Sequence, residues 1–184
     1  MKFKLRAYPQ FSACGLNCGL CPRYYTNGPS RCPGCAGEGF TESHCGCGIL
    51  SCCERHGVEY CFLCEEYPCP KYDGVDLTDS FISHKNQFKD MDKAKQIGME
   101  AYKAELDEKI RILERLLDHY DDGRRKSFFC TAVNLLALED VHTVMEQIAG
   151  EIEAEAPLKE KAKGAACLFE EMATQRDISL KLRK

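Results

Sequence analysis

Thiol side chains dominate the chemistry that this sequence can perform. Twelve of the fourteen cysteines lie between residues 14 and 69, and three pairs have the C-x-x-C spacing. The turn within such a pair can aim both sulfur atoms at one metal ion. We therefore predict metal ligation by all twelve: Cys14, Cys18, Cys21, Cys32, Cys35, Cys45, Cys47, Cys52, Cys53, Cys61, Cys64 and Cys69.

Disulfide bonds are the alternative use of so many cysteines, and the cellular compartment decides between the two. The N-terminal segment lacks the apolar run of a signal peptide, and no segment approaches the roughly 20 apolar residues of a membrane span. We therefore expect a cytoplasmic protein without membrane contact, in which thiols stay reduced and free to bind metals.

Zinc and iron–sulfur clusters both accept four thiolates, and the spacing is compatible with each. Cys32-Pro-Gly-Cys35 resembles the turn of zinc ribbons, and twelve cysteines suffice for up to three tetrahedral zinc sites. Cysteine followed by proline, and the C-x3-C-x2-C spacing that begins at Cys14, are typical of iron–sulfur proteins. We favour zinc and keep iron–sulfur clusters as the alternative.

Two histidines also lie near the cysteines. His44 adjoins Cys45, and His56 follows Cys53 by three residues. Imidazole is a common zinc ligand beside thiolates, so either histidine could replace a sulfur ligand; the alternative is that both are only neighbours of the cysteines. The grouping of the twelve cysteines into sites stays open at this point.

The composition of the chain changes near residue 76. Ile, Leu, Val, Met and Phe number 13 in residues 1–76 and 31 in residues 77–184. The first region is rich in Gly and Pro, which predicts loops and one short helix from Ile49 to His56 that ends at Gly57. Metals would replace a large apolar core there. We expect a mostly α protein with an irregular, metal-stapled region (1–76) and a small helical bundle (77–184).

Apolar spacing predicts four helices in the second region. Leu106, Ile110, Leu113, Leu117 and Tyr120 share one face of a helix that starts after Gly98 and stops at Asp121. We also predict a helix capped by Ser127, a helix from Val141 to Ile152 and a helix with Pro157 as its first residue. Cys130 and Cys167 are predicted to be buried thiols. Residues 178–184 are predicted to form a short strand or a loose tail.

Charge and missing motifs narrow the function classes. The formal net charge is −4, which argues against a general nucleic-acid binder. Arg23, Tyr24, Tyr25 and Arg31 nevertheless form a basic and aromatic patch, so a nucleic-acid-binding zinc module is a further alternative. No P-loop, dinucleotide glycine pattern or Ser/His/Asp constellation is present, which favours a non-enzymatic protein. We expect a zinc-stabilised interaction or scaffold module with a protein partner, or alternatively an iron–sulfur protein in electron transfer or in a redox enzyme.

Several cysteine motifs occur in an order that resembles a known family. They are Cys14-Gly-Leu-Asn-Cys18-Gly-Leu-Cys21-Pro, Cys32-Pro-Gly-Cys35, Cys47-Gly-Ile-Leu-Ser-Cys52 and Cys61-Phe-Leu-Cys64-Glu-Glu-Tyr-Pro-Cys69. Over about residues 12–75 they resemble domain of unknown function 3795, a cysteine-rich bacterial and archaeal family. The resemblance implies a metal-binding, intracellular protein.

Two features go beyond that family pattern. Cys53 is an addition to the cysteines of the family. Arg124, Arg125 and Lys126 stand at a predicted helix start in a stretch that resembles an extension of longer members, and cations there oppose the helix dipole. An anion or acidic partner bound at this helix start would compensate the unfavourable charge. A solvent-exposed turn is the alternative explanation for the position of this cluster.

Overall fold

Helices and loops make up the described part of the chain, residues 3–43 and 46–184 of a computed structural model. No strand is found in these two ranges, and the mostly α class is confirmed. His44 and Cys45 lie outside the described residues. The α-helices are α1 Phe40–Ser43, α2 Gly48–His56, α3 Gln87–Ile97, α4 Met99–Tyr120, α5 Lys126–Leu135, α6 Leu138–Glu151 and α7 Leu158–Gln175, and short 3₁₀ helices cover Cys18–Leu20, Cys61–Leu63 and Pro70–Tyr72.

The chain divides into two compact units. The first unit comprises Met1–Ala104 with Leu182–Lys184, and the second unit comprises Glu105–Lys181. These limits differ from the compositional boundary predicted after residue 76. The difference arises because α3 and the first turn of α4 belong with the cysteine-rich loops.

An aromatic core holds the first unit together. The rings of Phe11 and Tyr102 have centroids 4.7 Å apart, Phe11 and Tyr60 are 5.5 Å apart, and Tyr60 stacks on Phe62. All four side chains are buried, and Phe11 is 0% exposed. The count of Ile, Leu, Val, Met and Phe in residues 1–76 understated this core. It left out tyrosine, and Tyr102 lies beyond residue 76.

Helix α3 packs closely on the cysteine-rich loops. A Cβ atom on Gly15 would lie 2.4 Å from Cγ of Met91, which itself is fully buried, so only glycine permits this approach. The amide of Asn17 donates to the carboxylate of Asp90 at 2.9 Å and accepts from the hydroxyl of Tyr102 at 2.9 Å. This helix was not predicted, since its apolar face is narrow and consists mainly of Met91 and Ala94.

Helices α2 and α4 follow the sequence predictions. Gly57 adopts the left-handed conformation with φ 67° and ends α2 by donating to the carbonyl groups of Cys53 and Glu54. Helix α4 spans the predicted residues, and Leu106 and Leu113 lie on its buried face. Leu116 is fully buried in place of Leu117, which is half-buried.

Helices α5, α6 and α7 build the second unit. Helix α7 packs against both α6 and α5, and the rings of Phe129 and Phe169 meet edge to face at 6.0 Å. Asp140, near the start of α6, forms a 2.6 Å ion pair with Arg176 just after α7, so these two helices run antiparallel. Pro157 immediately precedes α7, one residue before the predicted position.

Three predictions for the second unit and the tail differ from the structure. Ser127 does not cap α5, since it is the second residue of the helix, and Arg125 at the N-cap position makes no capping side-chain hydrogen bond. The Asp121 carboxylate instead accepts hydrogen bonds from the backbone N–H groups of Gly123 and Arg125, in the turn that carries the basic cluster. Cys130 is buried as predicted, but Cys167 is exposed on α7.

The C-terminal tail is neither a strand nor loose. The backbone N–H and the guanidinium of Arg183 donate to the carboxylate of Asp79, at 2.8 Å and 2.9 Å. In return, the backbone N–H of Asp79 donates to the carbonyl of Arg183 at 3.0 Å. These bonds fasten the tail to the first unit. Among the described helices, none combines the length and apolar character needed to cross a membrane.

Candidate metal centre

Cys18 lies at the centre of one set of buried and half-buried thiols, called here the first thiol group. Burial raises the pKa of Cys18 well above its usual value, and negative charge on the neighbouring cysteines raises it further. Negative charge on Cys47 likewise raises the pKa values of Cys14 and Cys35. Cys61 also acts on Cys14, but it lines the cavity of a second set of cysteines. We therefore assign to the first thiol group Cys14, Cys18, Cys21, Cys32, Cys35 and Cys47.

Tight turns bring these cysteines together. The backbone N–H of Cys21 closes the 3₁₀ turn that begins at Cys18, with a 3.1 Å hydrogen bond. Cys35 donates to the carbonyl of Pro9 at 2.8 Å. Gly34 between the second pair has φ +86°, and a Cβ there would lie 2.4 Å from that same carbonyl oxygen. The glycine of the C-P-G-C motif is thus required by both its conformation and its surroundings.

Backbone N–H groups point at several sulfur atoms of the first thiol group. Hydrogen bonds from Leu16 and Ala13 lower the pKa values of Cys14 and Cys35 respectively, although burial, which is the larger effect, raises both. The net result is a pKa of about 12 for Cys35. In α2, the N–H of Leu50 lies 3.5 Å from the sulfur of Cys47. Such donors stabilise charge on sulfur, which is what a metal-bound thiolate carries.

A second set of cysteines surrounds a small cavity of about 20 Å³, and its members are called here the second thiol group. The cavity is also lined by His56, Tyr67 and Lys71. The second thiol group consists of Cys52, Cys53, Cys61, Cys64 and Cys69.

Two close pairs define the geometry of the second thiol group. The sulfur atoms of Cys53 and Cys61 are 3.4 Å apart, and Nδ1 of His56 lies 4.0 Å from the sulfur of Cys64. The hydrogen bond between Cys53 and Cys61 raises the pKa of Cys53 and lowers the pKa of Cys61. The shared hydrogen bond therefore favours one negative charge on this pair of sulfur atoms over two.

The two sets together account for eleven of the twelve predicted ligands, and Cys45 lies outside the described residues. Within residues 3–43 and 46–184, no group of three or more His, Cys, Asp or Glu side chains is already arranged to hold a metal ion. The sulfur atoms are thus gathered into two neighbourhoods, and metal coordination would require local movement of side chains.

Arg6 is the residue near the thiols that spacing arguments missed. Its side chain is only 7% exposed, and its guanidinium lies 4.6 Å from the centre of the Tyr60 ring. Its positive charge lowers the pKa values of Cys35 and Cys53, one from each thiol group. No motif links this arginine to the cysteines. Only the fold reveals that one buried cation lowers the pKa of a cysteine in each group.

The predicted basic and aromatic patch is largely used within the fold. The guanidinium of Arg23 lies 4.9 Å from the centre of the Phe81 ring, and Arg31 donates to the carbonyl of Tyr24 at 3.2 Å. The hydroxyl of Tyr25 donates to the carbonyl of Gly19 at 2.8 Å. These contacts shape the loop between Cys21 and Cys32.

Comparison with known proteins gives one match. Residues 10–74 match the model of a family described as "Protein of unknown function (DUF3795)". The resemblance drawn from the cysteine motifs is thereby confirmed. The matched segment carries both thiol groups. No curated protein and no solved structure matches the chain.

Proposed function

We propose that the cysteines of residues 10–74, which match the model of the DUF3795 family, make this chain a metal-binding protein with zinc as its metal. The observation that carries the proposal is the gathering of buried and half-buried thiols into two groups, with backbone N–H donors directed at sulfur in the first of them. The metal has a structural role in this proposal. It stabilises the first unit as part of an interaction or scaffold module for a protein partner.

Electrostatics explains why a cation suits these thiols. Burial and neighbouring negative charges raise the pKa values of Cys14, Cys18, Cys21 and Cys35, so ionising several of them together is costly. A divalent cation removes that repulsion and replaces the thiol protons. The N–H donors and the buried charge of Arg6 would then stabilise the remaining negative charge on sulfur.

An iron–sulfur cluster is the second candidate for the first thiol group. The supporting observation is that Cys14, Cys18 and Cys21, which have the C-x3-C-x2-C spacing, all lie in that one group. A cluster takes four thiolates, and the group offers six. Such a cluster would give the protein a role in electron transfer.

Elemental analysis of protein purified without oxygen tests both candidates. We expect colourless protein with at least two zinc ions per chain, and more reactive thiols after a chelator is added than before. The matched control is Cys167→Ser, which removes an exposed thiol outside both groups and should leave the zinc content unchanged. Brown protein containing iron and sulfide would instead support the cluster. Protein free of any metal after purification and after reconstitution would contradict both.

A further inference from the structure

The cavity in the second thiol group has the size of a site for a single ion. Its volume of about 20 Å³ is close to the space that one water molecule needs. A four-iron cluster carries eight iron and sulfide atoms, which this space does not admit. The cavity therefore favours one zinc ion over a cluster in this part of the protein.

Two distances across the cavity match the edges of a zinc tetrahedron. With Zn–S bonds of about 2.3 Å and Zn–N bonds of about 2.1 Å, tetrahedral ligands lie about 3.8 Å apart for two sulfurs and about 3.6 Å apart for sulfur and nitrogen. The sulfurs of Cys53 and Cys61 are 3.4 Å apart, and Nδ1 of His56 is 4.0 Å from the sulfur of Cys64. Each pair is within about 0.4 Å of its ideal edge.

Local structure also pairs these four residues along the chain, Cys53 with His56 and Cys61 with Cys64. Cys53 and His56 are three residues apart in the last turns of α2, which places them on one face of the helix. Cys61 and Cys64 form a C-x-x-C turn, closed by a 3.0 Å hydrogen bond from the N–H of Cys64 to the carbonyl of Cys61. Cys52 directly precedes Cys53, so its side chain leaves the helix about 100° away from that face.

We propose that Cys53, His56, Cys61 and Cys64 form a mononuclear zinc site with three sulfur ligands and one imidazole nitrogen. The site rests on the proposed metal-binding function and assigns a defined part of it. Three thiolates and Zn²⁺ leave one net negative charge. Lys71 and Glu66 both line the cavity, and the charge of Arg6 acts on Cys53, so two cations and one carboxylate surround this negative charge.

The test measures zinc per chain in full-length, oxygen-free protein equilibrated with a competing chelator. We expect His56→Ala and Cys64→Ser each to lose one zinc ion relative to the wild type. The matched controls are Cys52→Ser, which removes a thiol that lines the same cavity, and His119→Ala, which removes an exposed imidazole on α4. Both controls should keep the wild-type zinc content.

A spectroscopic variant covers the case in which the first unit of His56→Ala fails to fold. His56→Cys keeps four ligands, so we expect unchanged stoichiometry with Co²⁺ in place of zinc. Its d–d absorption bands should move to longer wavelength, because a sulfur replaces a nitrogen as ligand. Unchanged bands would overturn the assignment of His56.

The remaining outcomes separate this site from the broader function. Full zinc content in His56→Ala, together with loss of one ion in Cys52→Ser or Cys69→Ser, would overturn the ligand set and indicate a site made of cysteines alone. Wild-type content in every variant of the second thiol group would overturn the site and leave metal binding by the first thiol group intact. A wild-type protein that binds no metal would contradict the proposed function itself.

Discussion

Replacing Asp79 by asparagine should weaken the attachment of the C-terminal tail to the first unit. The side chain of Asp79 is fully buried and accepts hydrogen bonds from the backbone and guanidinium of Arg183. It also accepts from the backbone N–H of His84 at 2.8 Å. Asparagine keeps the shape of this side chain but removes its charge and one acceptor.

The pKa of Asp79 sets the expected magnitude. Burial alone would raise this pKa, but the hydrogen bonds from Arg183 and His84 outweigh burial and lower it from 3.8 to about 2. A shift of this size corresponds to about 2 kcal/mol of stability in favour of the folded state. Arg183 is 29% exposed, and solvent screening reduces the figure, so we expect Asp79→Asn to cost between about 1 and 2 kcal/mol.

The direction of the pH dependence follows from the lowered pKa. The unfolded chain binds a proton at Asp79 more readily than the folded chain does. The contribution is therefore fully present above about pH 4 and is lost as the pH falls through about 2. The cost of Asp79→Asn should be equal at pH 5 and pH 7.

Tyrosine signals report selectively on the first unit. Seven of the eight tyrosines lie there, and the chain has no tryptophan. The assay is urea unfolding of zinc-saturated protein, followed by near-UV circular dichroism. The matched control is Asp76→Asn, which removes the same charge from an exposed position three residues earlier. An equal free energy of unfolding for the two variants would refute the reasoning about Asp79.

Two further predictions concern one position in each unit. Gly15→Ala should lower the stability of the first unit by about 1 to 3 kcal/mol more than Gly28→Ala does. Both glycines have positive φ, but only at Gly15 would the added Cβ meet Met91. Equal losses in urea unfolding would contradict the close packing of α3. Asp121→Ala should cost about 1 kcal/mol in thermal unfolding followed by far-UV circular dichroism, since it removes the carboxylate that holds the turn before α5 by two backbone hydrogen bonds, whereas Ser127→Ala should cost almost nothing. A larger loss for Ser127→Ala would contradict this role of Asp121.

The sequence predicted those elements whose signals are local. Gly57 ends α2 because glycine accepts the left-handed conformation at little cost, and such a signal needs no knowledge of the rest of the fold. Helix α4 was predicted because its apolar spacing is long and regular. The cysteine motifs also revealed the similarity of residues 10–74 to DUF3795, since their order and spacing are properties of the sequence itself.

Features that depend on distant contacts were not predictable. The Asp121 carboxylate binds the backbone of the turn before α5, and no capping motif in the sequence points to it. Asp79 and Arg183 are 104 residues apart, and neither has a motif around it. The division of the thiols into two groups likewise depends on the folding of loops, because every C-x-x-C pair has the same local appearance.

The metal requirement of the first unit tests the central claim most directly. The measurement is near-UV circular dichroism of reduced, oxygen-free, zinc-loaded protein during titration with a chelator, with far-UV circular dichroism recorded in parallel. We expect the tyrosine signal of the first unit to collapse as zinc is removed, because binding free energy is folding free energy in such domains. Most of the helical signal should persist, since α5, α6 and α7 have their own apolar core. A tyrosine signal that is unchanged after the last zinc ion has left would contradict the claim that thiolate-bound metal stabilises the cysteine-rich part of this protein.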